Sequence, residues 1–202
     1  MISKSNYLKL KRILDVIISL IGLLVLSPIL LITAILIKVE SKGPAIFKQE
    51  RLGLNGKVFE IYKFRSMCIG AEKSGVYSSK GDTRVTKIGR FIRATSIDEL
   101  PQLINIIIGD MSIIGPRPTL TYHPWSLEKY TDEQFRRFSV RPGVTGWAQI
   151  NGRKEVQWDK RIEYDVEYVI NISFALDLKI FYKTIYKVLS MQDNVNTEVT
   201  TK

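Results

Sequence analysis

Two acidic residues stand side by side at Asp98 and Glu99, and the chain just before them is basic, with Arg84, Lys87, Arg90 and Arg93. Two readings of the pair stay open. Carboxylates in a first helical turn cap free N–H groups and complement the helix dipole. Alternatively, a carboxylate facing a phosphate-attracting surface can attack phosphorus to give an acyl phosphate. A second carboxylate would then help hold Mg²⁺, which binds through one or two carboxylates plus substrate phosphates. Arg117 sits between Pro116 and Pro118, so φ is fixed on both sides of a side chain suited to bidentate phosphate contact. Arg141 and Arg153 lie in glycine-containing loops and offer similar chemistry, against the plainer reading of solvated basic loops. Lys63, in Tyr62-Lys63-Phe64-Arg65, either snorkels from a half-buried strand or is turned by the strand's alternation toward the apolar face. Asp177 opens a helical stretch, where an acidic residue needs no further role.

Other chemistries are narrowed by what the chain lacks. Neither G-x-x-x-x-G-K-[ST] nor a strand followed by G-x-G-x-x-G occurs. Cys68 is the single cysteine, which excludes an intramolecular disulfide, and with the single His123 it makes a Cys/His zinc site unattractive. His123 has no sequence partner that would make it a base. The net charge of +10 calls for an anionic partner: phospholipid, a phosphorylated substrate or nucleic acid. No nucleic-acid fold motif accompanies it.

The elements that position these residues begin with a membrane segment. Val16–Ile37 is an uncharged apolar run of 22 residues, long enough to span a bilayer. Ser27 and Pro28 fall near its middle, where proline removes a helical hydrogen bond and bends or breaks the helix. Basic residues flank both ends, which favours a helix that dips in and returns, although a spanning helix tolerates proline too. A cleaved signal peptide is disfavoured, because no small-residue cleavage site follows. The mean hydropathy of +0.01 fits one soluble-type domain attached to one apolar segment.

Three divisions follow: residues 1–40 as the membrane helix, 41–191 as a cytoplasmic catalytic domain, and 192–202 as a polar tail, expected to be disordered. Ala45–Gln49 and Lys57–Phe64 flank an Asn-Gly turn and predict a β-hairpin. Ile69–Asp82 reads as a mobile loop and Lys87–Ala94 as a short basic helix. Ser96-Ile97-Asp98-Glu99 matches a capping box, opening a helix that runs to Ile108 and ends at Gly109. Helices are also expected at Glu128–Phe138, Trp158–Val169 and Leu176–Met191. In the last, Lys179, Lys183 and Lys187 recur every four residues, as in a basic amphipathic helix on a membrane or a core helix with a solvated edge. Trp125, Trp147 and Trp158 read as core or interfacial anchors.

Taken together the stretches resemble the bacterial sugar transferase family, the monotopic phosphoglycosyl transferases. The likeness runs from Lys11 to Val188 and rests on many short motifs in order. They include Lys11-Arg12-Ile13-Leu14-Asp15, Ser27-Pro28, Tyr62-Lys63-Phe64-Arg65-Ser66-Met67 and Thr86-Lys87-Ile88-Gly89-Arg90. Ser96 to Gln102, Gly109 to Ser112, Gly115 to Pro118, Arg141 to Trp147 and Asn151-Gly152-Arg153 continue the series.

The resemblance implies a mainly helical α+β domain with a re-entrant membrane helix, a small β-hairpin and amphipathic surface helices. It implies transfer of a sugar-1-phosphate from a UDP-sugar to polyprenyl (undecaprenyl) phosphate, releasing UMP and initiating a surface glycan. By it, Asp98 would be the nucleophile and Glu99 its acidic partner and a Mg²⁺ ligand. Lys63, Arg93, Arg117 and Arg153 would bind substrate phosphate, Asp177 would belong to the active site, and Ser27-Pro28 would break the membrane helix. The expected partners are a UDP-sugar (an N-acetylated amino sugar), polyprenyl phosphate and membrane phospholipid, with no nucleic acid. The expected location is the cytoplasmic face of the bacterial inner membrane. The sequence fixes no oligomeric state. The rival reading is an anchored basic module that binds anionic lipid or nucleic acid without catalysis.

Overall fold

Apolar periodicity, caps and turn residues produce a mainly helical chain with two small sheets, as a computed structural model shows for residues 3–71, 75, 81–152 and 157–190. Helix α1 runs from Lys4 to Glu40, with the Ser3 hydroxyl accepting from the Asn6 N–H at its start. A hairpin follows, β1 Ile46–Leu52 pairing antiparallel with β2 Val58–Phe64, and Asn55 takes the left-handed conformation in the turn. Then come α2 Lys87–Ala94, α3 Gln102–Ile108, β3 Ser112–Ile114, α4 Asp132–Phe135 and β4 Gly143–Thr145. The chain closes with α5 Trp147–Gly152, α6 Trp158–Asn171 and α7 Phe174–Leu189.

Helix α1 is buried near both ends and mostly exposed between, where Gly22 still approaches Leu103 of α3. Tyr7, Lys11, Asp15 and Ser19 are buried at four-residue spacing, and burial resumes only at Thr33 and Ile37. The intervening Leu20, Ile21, Leu24, Val25, Ile29, Leu31 and Ile32 are exposed. At its C-terminal end Ile37 joins Phe64 of β2 and Ile92 of α2 in one core cluster. The Arg65 guanidinium caps this end, donating to the Ser41 carbonyl at 2.9 Å and to the Lys42 carbonyl at 2.6 Å. Pro28 is carried inside an uninterrupted helix, so the helix expected to bend or break there does not break. Proline leaves the carbonyl four residues back without its N–H donor. That carbonyl is Leu24's, and the Ser27 hydroxyl donates to it at 2.7 Å.

β3 and β4 pair in parallel, Ser112 opposite Gly143 and Ile114 opposite Thr145. A Cβ on Gly143 would lie 2.1 Å from the Gly115 nitrogen, so these loops approach too closely for any side chain there. α7 turns Asp177 and the fully buried Ile180 inward, while Phe174, Phe181, Tyr182, Ile185 and Tyr186 stay exposed. Trp125 packs edge-on against Tyr130, and Trp158 against His123.

Two expected elements differ. Ser96 makes no capping hydrogen bond; it sits at φ 59°, and Ile97–Glu99 form a separate 3₁₀ turn. Pro101, which has no N–H to continue a helix backward, stands at the start of α3. The expected helix over Glu128–Phe138 is divided into two 3₁₀ turns and the four-residue α4, because Thr131 forms its own capping box with Gln134. The tail from 192 and much of the 69–82 loop lie outside the described residues.

Candidate active site

The left-handed turn at Ser96 determines how the two acids are presented. A non-glycine residue at positive φ costs about 1 kcal/mol or more and recurs at functional sites. Here it ends the α2 segment carrying Arg93 and starts the turn carrying Asp98 and Glu99. The carboxylates therefore sit between α2 and α3 and outside the first turn of a long helix, which sets aside the simple capping reading.

Lys63 comes to them from β2. Its ammonium donates to Glu99 Oε1 at 2.7 Å, and the Arg117 guanidinium lies 3.8 Å from the same oxygen. Asp98 is half-buried, and that burial pushes its carboxyl up to about 6. Lys63 opposes the rise, Glu99 adds to it, and Arg93 and Arg117 oppose it further. The structure thus gathers Lys63, Arg93, Asp98, Glu99 and Arg117 into one cluster. Arg153 lies outside the described residues.

Asp177 stands apart from this cluster. It is buried, accepts from the hydroxyls of Tyr7 at 2.6 Å and Tyr168 at 2.8 Å, and pairs with Lys11 at 3.1 Å. Burial and this carboxylate push the Tyr168 hydroxyl far above the ordinary tyrosine range, so it remains a donor. Asp15 extends the network, accepting from the Ser112 hydroxyl at 2.6 Å. In this geometry Asp177 docks α1 onto α6 and α7.

The Pro-Arg-Pro turn is held from several sides. Arg137, almost wholly buried, pairs with Asp165 at 2.6 Å and donates to the Arg117 carbonyl at 2.8 Å. The Gly143 N–H donates to the Pro116 carbonyl at 2.9 Å, and Arg51 to the Pro118 carbonyl at 3.2 Å. With its backbone held, the half-exposed Arg117 side chain is the part left to move. Asn105, fully buried on α3, accepts from the Tyr62 N–H at 2.9 Å and donates to the Glu60 carbonyl at 2.7 Å. It sets β2, and with it Lys63, against the helix that follows the two acids.

Arg51 was not singled out in the sequence. Burial, together with repulsion from Arg117, pulls its guanidinium down to about 10, and its Nε is buried without a hydrogen-bond partner. Position in sequence offered no signal, since Arg51 and Arg117 lie far apart in the chain.

The donor set at the acids is two adjacent carboxylates, both hard oxygen ligands. Among the described residues no three His, Cys, Asp or Glu side chains cluster as a metal cage. Mg²⁺ binds through one or two carboxylates and completes its shell with substrate phosphates and water, so these residues fit that ion.

A family model described as bacterial sugar transferase matches residues 6–191. The chain belongs to that family. The transferase is 48% identical over 180 residues to a protein named "Uncharacterized sugar transferase EpsL" of Bacillus subtilis (strain 168), covering 89% of this chain and 87% of that one. It is 45% identical over 183 residues to a Klebsiella pneumoniae protein named UDP-glucose:undecaprenyl-phosphate glucose-1-phosphate transferase, covering 88% of this chain and 39% of that protein. An Aeromonas hydrophila relative, 43% identical over 188 residues (91% of this chain, 44% of the relative), is named UDP-N-acetylgalactosamine-undecaprenyl-phosphate N-acetylgalactosaminephosphotransferase. The transferase thus spans most of the first relative and about two fifths of the other two.

Proposed function

We propose that the chain transfers a sugar-1-phosphate from a UDP-sugar to polyprenyl phosphate and releases UMP, initiating a surface glycan. One observation carries this reading: a half-buried carboxylate, Asp98, set among Lys63, Arg93 and Arg117 beside Glu99. The Asp98 carboxylate attacks the sugar-bearing phosphorus of the donor. An aspartyl–phosphorus bond forms, the bond from that phosphorus to the bridging oxygen breaks, and UMP leaves with the oxygen. A phosphate oxygen of the polyprenyl acceptor then attacks the same phosphorus and regenerates Asp98. Lys63, Arg93, Arg117 and Arg153 hold the phosphate oxygens, where fixed cations stabilise the developing charge. Mg²⁺, held by Glu99 and the donor diphosphate, would add Lewis-acid charge neutralisation.

We read α1 as a re-entrant helix that keeps the domain on the cytoplasmic face of the inner membrane. A helix of 37 residues is about 55 Å long, enough to carry one end across a bilayer if straight and upright. Both its ends contact the same domain, and its exposed apolar residues surround Ser27-Pro28, which supports a dip. The exposed aromatic residues of α7 fit an interfacial helix.

Incubation with UDP-sugar alone tests the chemistry. UMP release with a phosphosugar mass adduct on Asp98 is expected, and Asp98→Asn abolishes both. UMP release that strictly needs the lipid acceptor would overturn the covalent route, and UDP as product would mean glycosyl transfer instead. Screening UDP-glucose against N-acetylated amino-sugar donors identifies the sugar, for which an N-acetylated amino sugar is expected.

A further inference from the structure

A second concentration of positive charge lies at the other end of α3 from Asp98. An open cavity of about 720 Å³ is bounded by Lys4, Leu8, Lys9, Arg12, Ile13 and Arg141, and no carboxylate lines it. Two of these cations face one another. Arg12 donates to the Ile107 carbonyl at 3.1 Å and also to that of Ile106, and Arg141 Nε donates to the Gly109 carbonyl at 2.7 Å. The Ile106 and Ile107 carbonyls belong to the last turn of α3 and Gly109 follows it, so both guanidiniums meet the negative end of that helix. Carbonyls carry no formal charge, so the cavity keeps four cationic side chains. The acid acting on Arg12 is Asp15, and it is engaged by Lys11 and Ser112.

The surroundings indicate what enters. Leu8 and the exposed Ile13 line the cavity with the cations, and the two helices that Arg12 joins also expose Leu10 and Ile17 of α1 and Ile104 and Ile108 of α3. A basic pocket at the edge of an apolar surface suits a lipid head group with its chains along the apolar side. A phosphate destined for Asp98 must sit at the opposite end of α3.

We propose that this cavity binds the phosphate head group of an anionic membrane phospholipid, distinct from the acceptor that meets Asp98. The proposal rests on the membrane-associated reading of α1. The test places the full chain in nanodiscs of phosphatidylcholine with a one-fifth share of phosphatidylglycerol, and native mass spectrometry counts the lipid retained on ejection. The unaltered protein should retain phosphatidylglycerol in preference to phosphatidylcholine. Lys9→Glu, at an exposed position, should weaken that preference by about tenfold or more, as should Lys4→Gln combined with Lys9→Gln. Lys57→Glu, an equal change in net charge at an exposed hairpin position, should leave it intact. Equal retention in the Lys9 variants and the unaltered protein would overturn the proposal. So would one-for-one displacement of phosphatidylglycerol by added polyprenyl phosphate, which would make the cavity an acceptor site. Failure to enter nanodiscs of any composition would instead overturn the membrane reading itself.

Discussion

Asp177 offers a sharp test, because the family resemblance places it in the active site and the geometry places it under α1. Its carboxylate meets Lys11 at 3.1 Å and two tyrosine hydroxyls, all buried. Removing one partner of a buried pair leaves an uncompensated group and costs about 3–5 kcal/mol. Here the low end applies, because each survivor keeps other partners. Without Lys11, Asp177 retains Tyr7 and Tyr168; without the Asp177 charge, Lys11 retains Asp15 at 3.5 Å. Lys11→Met and Asp177→Asn should therefore each cost about 3 kcal/mol, which for a chain of this size lowers Tm by roughly 6–12 °C. The double variant leaves neither charge of this pair unmatched and should fall short of the sum by about 1–3 kcal/mol. Thermal unfolding in micelles, followed by tryptophan fluorescence, measures this cycle. UMP release from UDP-sugar, assayed well below each melting temperature, completes it. Asp177→Asn that melts like the unaltered protein yet releases no UMP would refute the docking role and return Asp177 to the chemistry. Strictly additive single effects would refute the pairing.

Asp98 predicts a pH dependence. In the proposed mechanism only its carboxylate attacks, so donor-only UMP release should fall about tenfold per pH unit below a midpoint near 6, while a flat profile down to pH 4 would contradict the burial argument. For stability the sign is opposite: a raised carboxyl binds its proton more tightly when folded, so this group's contribution is full below the unfolded value and is lost as pH rises through about 6. Arg51→Gln should raise KM for the UDP-sugar by about ten- to a hundredfold, the worth of a hydrogen bond to a charged group. Arg51→Lys should restore only part of that, since the donation to the Pro118 carbonyl is lost, and an unchanged donor KM in Arg51→Gln would remove Arg51 from the site.

What could be read in advance was local. The Asn-Gly turn located the hairpin, and the four-residue spacing of Lys179, Lys183 and Lys187 marked α7, because each signal lies within a few residues of its effect. Ser96 misled for a physical reason: a capping-box pattern specifies a helix only if the backbone can continue, and Pro101 prevents that. The residues that hold the site were illegible. Arg137 finds Asp165 28 positions away, and Asn105 finds the Glu60 carbonyl across 45. In sequence Arg137 looks like another charge on a solvated helix; only the fold shows it buried with its back to the Arg117 peptide.

The same long-range ties connect the apolar helix α1 to the two acids. Strand β2 and the residue after it carry two cations two positions apart, hence on one face of the extended chain. Lys63 holds Glu99, and Arg65 caps the C-terminal end of α1 through Ser41 and Lys42. A second tie runs through α2. Glu40, the last residue of α1, accepts from the N–H groups of Lys87 at 2.7 Å and Ile88 at 3.2 Å, a carboxylate at the positive end of a helix dipole. Arg93 leaves the other end of that helix to act on Asp98. The two acids are thus suspended from one end of α1 by a strand and a helix, both short and rigid. On the proposed re-entrant placement of α1, a change in its depth would reach the carboxylates through both ties, which would keep them in register with the lipid surface.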